Sequence, residues 1–108
     1  MAQSVRRGEI WLYQFKQPDK TRPVLILTRN SILPYLNEAT VAPITSTIRG
    51  IPTEILVGTE EGLKKESAVN LDHLQTVASQ NLTTFIGTVS NEKMQDVLEA
   101  LLFALGFK

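Results

Sequence analysis

The sequence predicts a mainly β fold, a small twisted barrel or a sandwich, that ends in one α-helix. Two observations predict it. A series of short apolar segments with strand character, separated by polar turns, fills residues 9–89, and the following segment changes to a helical spacing of apolar residues. Strands this short and this frequent are typical of small barrels and sandwiches and argue against a parallel α/β sheet.

The first predicted strand covers residues 9–15. Ile10 and Leu12 alternate with three aromatic residues, Trp11, Tyr13 and Phe15. Both faces are therefore apolar, so we expect both to be covered and the aromatic rings to be buried rather than free for base stacking. The second strand, residues 24–28, is continuous in aliphatic residues, which also indicates cover on both faces. The remaining predicted strands are residues 39–44, 53–57, 67–71, 73–77 and 85–89.

The C-terminal segment has the periodicity of an amphipathic helix, with an apolar stripe at Met94, Val97, Leu98, Leu101, Leu102 and Leu105. Ser90 is the predicted N-cap, and Val89 and Met94 occupy the positions of a hydrophobic staple. Gly106 stands where the helix is expected to end. We expect the helix to pack on the sheet, while Phe103 and Phe107 extend the apolar surface beyond the stripe.

Length and charge limit the possible functions. The 108 residues predict one domain, residues 1–108, and eleven basic residues balance eleven acidic ones. The charges are segregated, however: residues 1–54 carry seven Lys or Arg against four Asp or Glu, and the rest carries four against seven. All arginines lie in the first half. A neutral protein can therefore still present a local anion-binding face.

Cysteine is absent and His73 is the only histidine. Disulfides and thiolate chemistry are thereby excluded, and no metal site is expected, since structural zinc takes several Cys or His ligands. The arginines near the N-terminus are not followed by a long apolar run, and no stretch approaches the roughly 20 apolar residues that span a bilayer. We expect a cytoplasmic protein without a membrane partner.

Arg22 is the first candidate functional residue. It precedes Pro23, which favours an extended conformation at Arg22 and places the pair at the start of a strand. A guanidinium held on a rigid element suits phosphate recognition. The alternative is a solvated arginine that flanks a strand, as most surface charges have no special task.

A second candidate segment follows the third predicted strand. Thr45, Ser46 and Thr47 are consecutive hydroxyls, and Arg49 and Gly50 follow them in a basic loop. These hydroxyls can donate hydrogen bonds to phosphate oxygens, and Gly50 permits close approach of a nucleic-acid backbone. The alternative is that the hydroxyls satisfy backbone groups of a turn.

Other polar groups point to structure. His73 has the chemistry of a general base, but Leu71 and Leu74 flank it in a predicted strand, which favours a hydrogen-bonded structural role. The acidic pair Glu60 and Glu61 is interpreted as part of a solvated turn.

Taken in order, several motifs resemble the MazF/PemK family of toxins from bacterial toxin–antitoxin systems. These motifs are residues 6–11 (RRGEIW), 21–26 (TRPVLI), 41–45 (VAPIT), 50–55 (GIPTEI), 62–69 (GLKKESAV) and 71–77 (LDHLQTV). The resemblance covers about residues 5–105. It implies an SH3-like barrel with a C-terminal helix, a homodimer, an antitoxin protein as partner, and a metal-independent endoribonuclease without cofactor.

The same resemblance assigns roles to individual residues. The family's catalytic arginine falls on Arg22, and its catalytic threonine or serine falls on Thr45. Further candidates for contacts with single-stranded RNA are Ser46, Thr47, Arg49, Thr21 and Lys20. The implied reaction is attack of the ribose 2′-OH on the adjacent phosphorus, which gives a 2′,3′-cyclic phosphate and a 5′-hydroxyl.

Two departures from the family pattern leave roles unassigned. The first loop, residues 17–21, is shorter than in many relatives, and His73 and Gln75 stand where several relatives carry Gln and Arg. Two alternatives stay open: a CcdB-type toxin that binds gyrase, and an RNA-binding module without catalysis. The Arg22 and Thr45 pair favours the nuclease, since a gyrase binder has no need of it.

Overall fold

The structure, a computed structural model, describes residues 4–14 and 20–108. In these residues the chain forms β1 (Glu9–Gln14), β2 (Thr21–Ile26), β3 (Glu38–Thr45), β4 (Glu54–Val57), β5 (Ser67–Asn70), β6 (Gln75–Ala78), β7 (Leu82–Thr88) and helix α1 (Asn91–Ala104). Short 3-10 helices lie at Leu33–Tyr35, Thr59–Glu61 and Ser79–Asn81. Each predicted strand and the predicted helix are present.

The strands form one curled antiparallel sheet in the order β4-β5-β3-β2-β1-β7, and β6 also pairs with β3. The central strand β3 has β2 along one edge, and β6 and then β5 along the other. The curl brings the segment after β4 against β7, where a Cβ added to Gly87 would lie 2.0 Å from the Glu61 carbonyl oxygen. The predicted fold class, a small barrel-like β structure with a C-terminal helix, is confirmed.

Two hydrophobic clusters cover the two faces of the sheet. The first packs under α1 and contains Ile10, Leu25, Ala42, Ile44, Val69, Val97 and Ala100 among others. The second contains Trp11, Val24, Ile26, Ala39, Val41, Val77 and Leu82. Alternate residues of β1 and β2 enter different clusters, so the expectation that both faces of these strands are covered is confirmed. The Trp11 ring also meets the Phe85 ring edge-on, with centroids 5.8 Å apart. Phe15 lies outside the described residues.

The ends of α1 follow the sequence signals. Ser90 is the N-cap, and its Oγ accepts the Lys93 N–H at 3.1 Å. At the other end Gly106 adopts a φ of +83°, while the Phe107 N–H donates to the Leu102 carbonyl at 2.8 Å. This is the glycine-dependent Schellman motif, which satisfies the last carbonyls of a helix. Among residues 4–14 and 20–108, no helix has the length and apolar composition to span a membrane.

The structure corrects three details. β2 covers Thr21–Ile26 instead of residues 24–28, and Arg22 and Pro23 lie at its start as predicted, where they pair with β1. β6 begins at Gln75, so the predicted start of this strand at His73 is wrong, and His73 instead lies in the turn between β5 and β6. Glu61 is only 5% exposed, so its assignment to a solvated turn is also wrong.

Candidate active site

A cleft opens where β2 and β3 separate. The two strands pair from Ile26–Val41 to Val24–Pro43, and the same register continued by two residues would set Arg22 opposite Thr45. Beyond Val24, however, β2 stays paired with β1 and β3 stays paired with β5. Prolines lack the N–H that a ladder needs, and Pro43 stands where the β2–β3 pairing ends. The strands thus hold Arg22 and Thr45 on the two sides of an opening.

The cleft has a volume of about 210 Å³. Residues from β2, β3, the loop after β3, β4, β5 and the β5–β6 turn line it: Arg22, Pro43, Ile44, Thr45, Thr47, Arg49, Glu54, Asn70 and His73. Four of the predicted site residues, Arg22, Thr45, Thr47 and Arg49, are therefore brought together. The other three, Lys20, Thr21 and Ser46, are exposed neighbours in the chain that do not line the cleft.

The cleft is a local positive region on a neutral protein. Arg22 and Arg49 are exposed, and within the described part of the chain no carboxylate lies in ion-pair distance of either guanidinium. Glu54 is the one acidic side chain among the described residues that line the cleft. Among the described residues, two guanidiniums without an ion-pair partner against one carboxylate favour an anionic ligand.

Thr45 serves the turn without losing its capacity to donate. Its Oγ1 accepts the Thr47 N–H at 3.1 Å, which is the backbone-satisfying role considered for these hydroxyls. A hydroxyl that accepts a hydrogen bond still has its own hydrogen. The Thr45 hydroxyl can therefore hold the turn and donate to a phosphate oxygen at the same time.

Glu54 shapes the basic loop. Its Oε1 accepts the backbone N–H groups of Arg49 and Gly50, both at 3.0 Å. The carboxylate thus fixes the loop that carries Arg49. The sequence interpretation missed Glu54, because this role depends on the loop folding back over the start of β4.

The β5–β6 turn is held by three further hydrogen bonds. The Thr53 hydroxyl donates to Asp72 Oδ2 at 2.6 Å, and the Asp72 N–H donates to Asn70 Oδ1 at 2.9 Å. Asn70 Nδ2 lies 3.3 Å from His73 Nδ1. This chain fixes the exposed His73 at the cleft. The expected hydrogen bond of His73 is present, but its expected setting in an apolar strand is wrong.

Fold and site together define a class: a small curled β barrel with a basic cleft between two diverging strands. Residues 6–105 match the sequence profile of the family described as PemK-like, MazF-like toxin of type II toxin–antitoxin system. The chain belongs to this family.

Relatives agree in sequence and structure. The chain is 44% identical over 85 residues to endoribonuclease MazF3 of Mycobacterium tuberculosis, which covers 79% of this chain and 82% of the relative. It is similar to the Mycobacterium tuberculosis toxin MazF-mt6, with 40% identity, a TM-score of 0.84, and coverage of 91% and 96% of the two chains. It also resembles an endoribonuclease in complex with its cognate antitoxin from a mycobacterial species, with 26% identity, a TM-score of 0.85, and coverage of 96% and 97%.

Proposed function

We propose that the protein is a toxin that cleaves single-stranded RNA at short sequences, without a metal ion, through attack of the ribose 2′-OH on the adjacent phosphorus. The observation that carries this proposal is the meeting of Arg22 and Thr45 at the cleft between β2 and β3. Family membership supports the same activity, since the relative MazF3 is an endoribonuclease.

The residues of the cleft match what this reaction requires. The 2′-oxygen forms a bond to phosphorus, the bond to the 5′-oxygen breaks, and the products are a 2′,3′-cyclic phosphate and a 5′-hydroxyl. Negative charge accumulates on the phosphoryl oxygens during this step, and donors fixed in advance lower the barrier most. Arg22 supplies a bidentate charged donor, and Thr45 supplies a neutral one on the opposite side. The 2′-OH proton leaves as the 5′-oxygen gains one, so the overall proton count is unchanged.

The donor chemistry of the cleft also favours a reaction without a metal ion. Divalent cations need several oxygen or nitrogen ligands. Among the described residues the cleft offers one carboxylate, Glu54, and its Oε1 already accepts two backbone N–H groups. The two guanidiniums would further repel a cation.

The same cleft is the proposed site of control. An antitoxin with an acidic tail would place carboxylates where the RNA phosphates bind, so that it competes for Arg22, Arg49 and Thr45. The related endoribonuclease that was solved with its cognate antitoxin supports a partner of this kind. We further propose a homodimer, because Phe103, Leu105 and Phe107 are all more than half exposed at the end of α1.

The decisive experiment incubates the purified protein with a long single-stranded RNA and resolves the fragments. Arg22→Ala and Thr45→Ala are each expected to lower kcat/KM by about 100-fold or more, the usual effect of losing one fixed donor. Arg29→Ala is the matched control, because Arg29 is an exposed arginine outside the cleft. Undiminished cleavage by a folded Arg22→Ala variant would refute the assignment.

Two substrate controls test the chemistry. Cleavage should continue in excess EDTA and should stop when the ribose 5′ to the scissile phosphate is replaced by deoxyribose. Binding of the RNA without any fragments would instead favour the non-catalytic RNA-binding module. Light scattering tests the dimer, since a particle of 12.0 kDa would be a monomer.

A further inference from the structure

His73 is positioned at the cleft by a contact that determines which ring nitrogen carries a proton. The Asp72 N–H donates to the amide oxygen of Asn70, so the amide nitrogen of Asn70 is the atom that faces His73. An amide nitrogen can only donate. Nδ1 of His73 is therefore an acceptor, and the proton of the neutral ring sits on Nε2.

Nε2 is then a hydrogen-bond donor without a partner in residues 4–14 and 20–108. His73 is exposed and lines the cleft across β3 from Arg22. The other charged groups near the imidazole are Arg22 from β2, Arg49 from the loop after β3, Glu54 from β4 and Asp72 of its own turn. Glu54 and Asp72 are already held by backbone N–H groups and by the Thr53 hydroxyl, respectively.

We propose that His73 is a catalytic residue that donates a hydrogen bond from Nε2 to a phosphoryl oxygen of the scissile phosphate, with Asn70 as a positioning residue that fixes the tautomer. This inference rests on the proposed RNA cleavage. The imidazole donates this hydrogen bond and transfers no proton. It acts together with Arg22 and Thr45 and stabilises the charge that develops on the oxygens as the 2′-oxygen attacks.

A series of three variants at position 73 isolates the donor. The amide nitrogen of Gln reaches about as far as Nε2 of His, that of Asn only as far as Nδ1, and Ala offers no donor. We expect His73→Gln to retain at least a third of wild-type kcat/KM, while His73→Asn and His73→Ala each lose about 10- to 100-fold. Equal activity of all three variants, or equal losses in all three, would overturn the proposal.

The role of Asn70 is tested by pH. In Asn70→Asp the Oδ1 acceptor for the Asp72 N–H remains, but the atom that faces His73 becomes an oxygen that accepts. The neutral ring then carries its proton on Nδ1, and Nε2 can donate only when the imidazole is protonated. Histidines lose that proton between about pH 5 and pH 8. We expect the kcat/KM of Asn70→Asp relative to wild type to fall at least about fivefold from pH 6 to pH 8.

The double variant Asn70→Asp/His73→Gln provides the control, because it adds the same negative charge but has no imidazole. Its kcat/KM relative to His73→Gln should be the same at pH 6 and pH 8. A pH-independent ratio for Asn70→Asp, or an equal pH dependence in the double variant, would refute the tautomer argument. The wild-type and Arg22→Ala proteins, assayed on the same RNA, test the proposed function separately. If the wild type does not cleave RNA, or if Arg22→Ala cleaves as well as the wild type, the proposed function is refuted. If only the variants at positions 70 and 73 behave differently from expectation, the role of His73 alone is refuted.

Discussion

Glu54 places a carboxylate in a cleft that is proposed to bind phosphate, and one pair of substitutions can show what this carboxylate does. Its charge opposes the ligand, but its Oε1 holds the N–H groups of Arg49 and Gly50, both at 3.0 Å. Glu54→Ala removes the charge and the acceptor, whereas Glu54→Gln removes only the charge. The comparison therefore separates repulsion from loop positioning.

The magnitudes follow from the two hydrogen bonds. A hydrogen bond to a charged group contributes about 1.5–3 kcal/mol when buried, and at this partly exposed site we take about 1 kcal/mol for each. Loss of both makes the ordered loop less favourable by about 2 kcal/mol, which lowers kcat/KM by up to about 30-fold when the ordered loop is the competent one. In Glu54→Gln the weaker neutral hydrogen bonds are offset by relief of a repulsion of similar size, so kcat/KM should stay within about threefold of wild type.

The assay measures kcat/KM on one RNA at two salt concentrations. Glu54→Gln gives the cleft one more net positive charge than the wild type has. The kcat/KM of Glu54→Gln should therefore fall more steeply with salt than that of the wild type. Glu38→Ala is the matched control, because Glu38 is an exposed glutamate at the opposite end of β3. Equal losses in Glu54→Ala and Glu54→Gln, or full activity of Glu54→Ala, would refute the positioning argument.

Two further predictions concern the fold. Burial acts to raise the pKa of Glu61, but the hydrogen bonds from Lys93 Nζ (2.8 Å) and the Gly58 N–H (2.7 Å), with the charge of Lys93, hold this pKa below its usual value. The ion pair therefore stabilises the protein above about pH 4.5 and loses this effect as Glu61 is protonated. Lys93→Met should lower the free energy of unfolding by about 2 kcal/mol at pH 7. Chemical denaturation should show a smaller difference between this variant and the wild type at pH 3.5. Gly87→Ala should lower the free energy of unfolding by about 3 kcal/mol or more, because its Cβ would lie 2.0 Å from the Glu61 carbonyl oxygen. Gly106→Ala should lower it by only about 1 kcal/mol in the same assay, because the space at Gly106 is open and only its φ of +83° is unfavourable for alanine.

The sequence predicts those parts of the fold that depend on neighbours in the chain. The two-faced apolar pattern at Ile10 and Trp11 indicates a strand covered on both sides, and Ser90 and Gly106 mark the ends of the helix because caps act within one turn. Glu61 shows the limit of this reasoning. Next to Glu60 it has the local pattern of a solvated turn, yet its partner Lys93 lies 32 residues further along the chain.

The residues of the candidate site likewise divide into those that the sequence marks locally and those that only the folded structure reveals. Arg22 and Thr45 can be selected from the sequence, because Pro23 and the end of a strand mark them locally and the family pattern coincides with them. Glu54 and Asn70 cannot, since their significance arises from the pairing of β4 with β5, which sets them directly opposite each other at the cleft. The apolar leucines that flank His73 predict a strand, but Asn70, three residues before it, holds the turn that exposes the imidazole.

The way in which the cleft is built separates two tasks that an RNA-cleaving toxin must perform. Arg22 and Thr45 lie on paired strands, and catalytic groups need placement to within about 0.5 Å. Thr47 and Arg49 lie on a loop that is held by the Thr45 hydroxyl and the Glu54 carboxylate, and loops can adapt to bases and vary between relatives. Substitutions on the strands should therefore change the rate on every RNA alike, whereas substitutions in residues 46–50 should change which RNA sequences are cut. The absence of net charge is compatible with the proposed RNA binding, because only the few cations around one cleft need to contact phosphate.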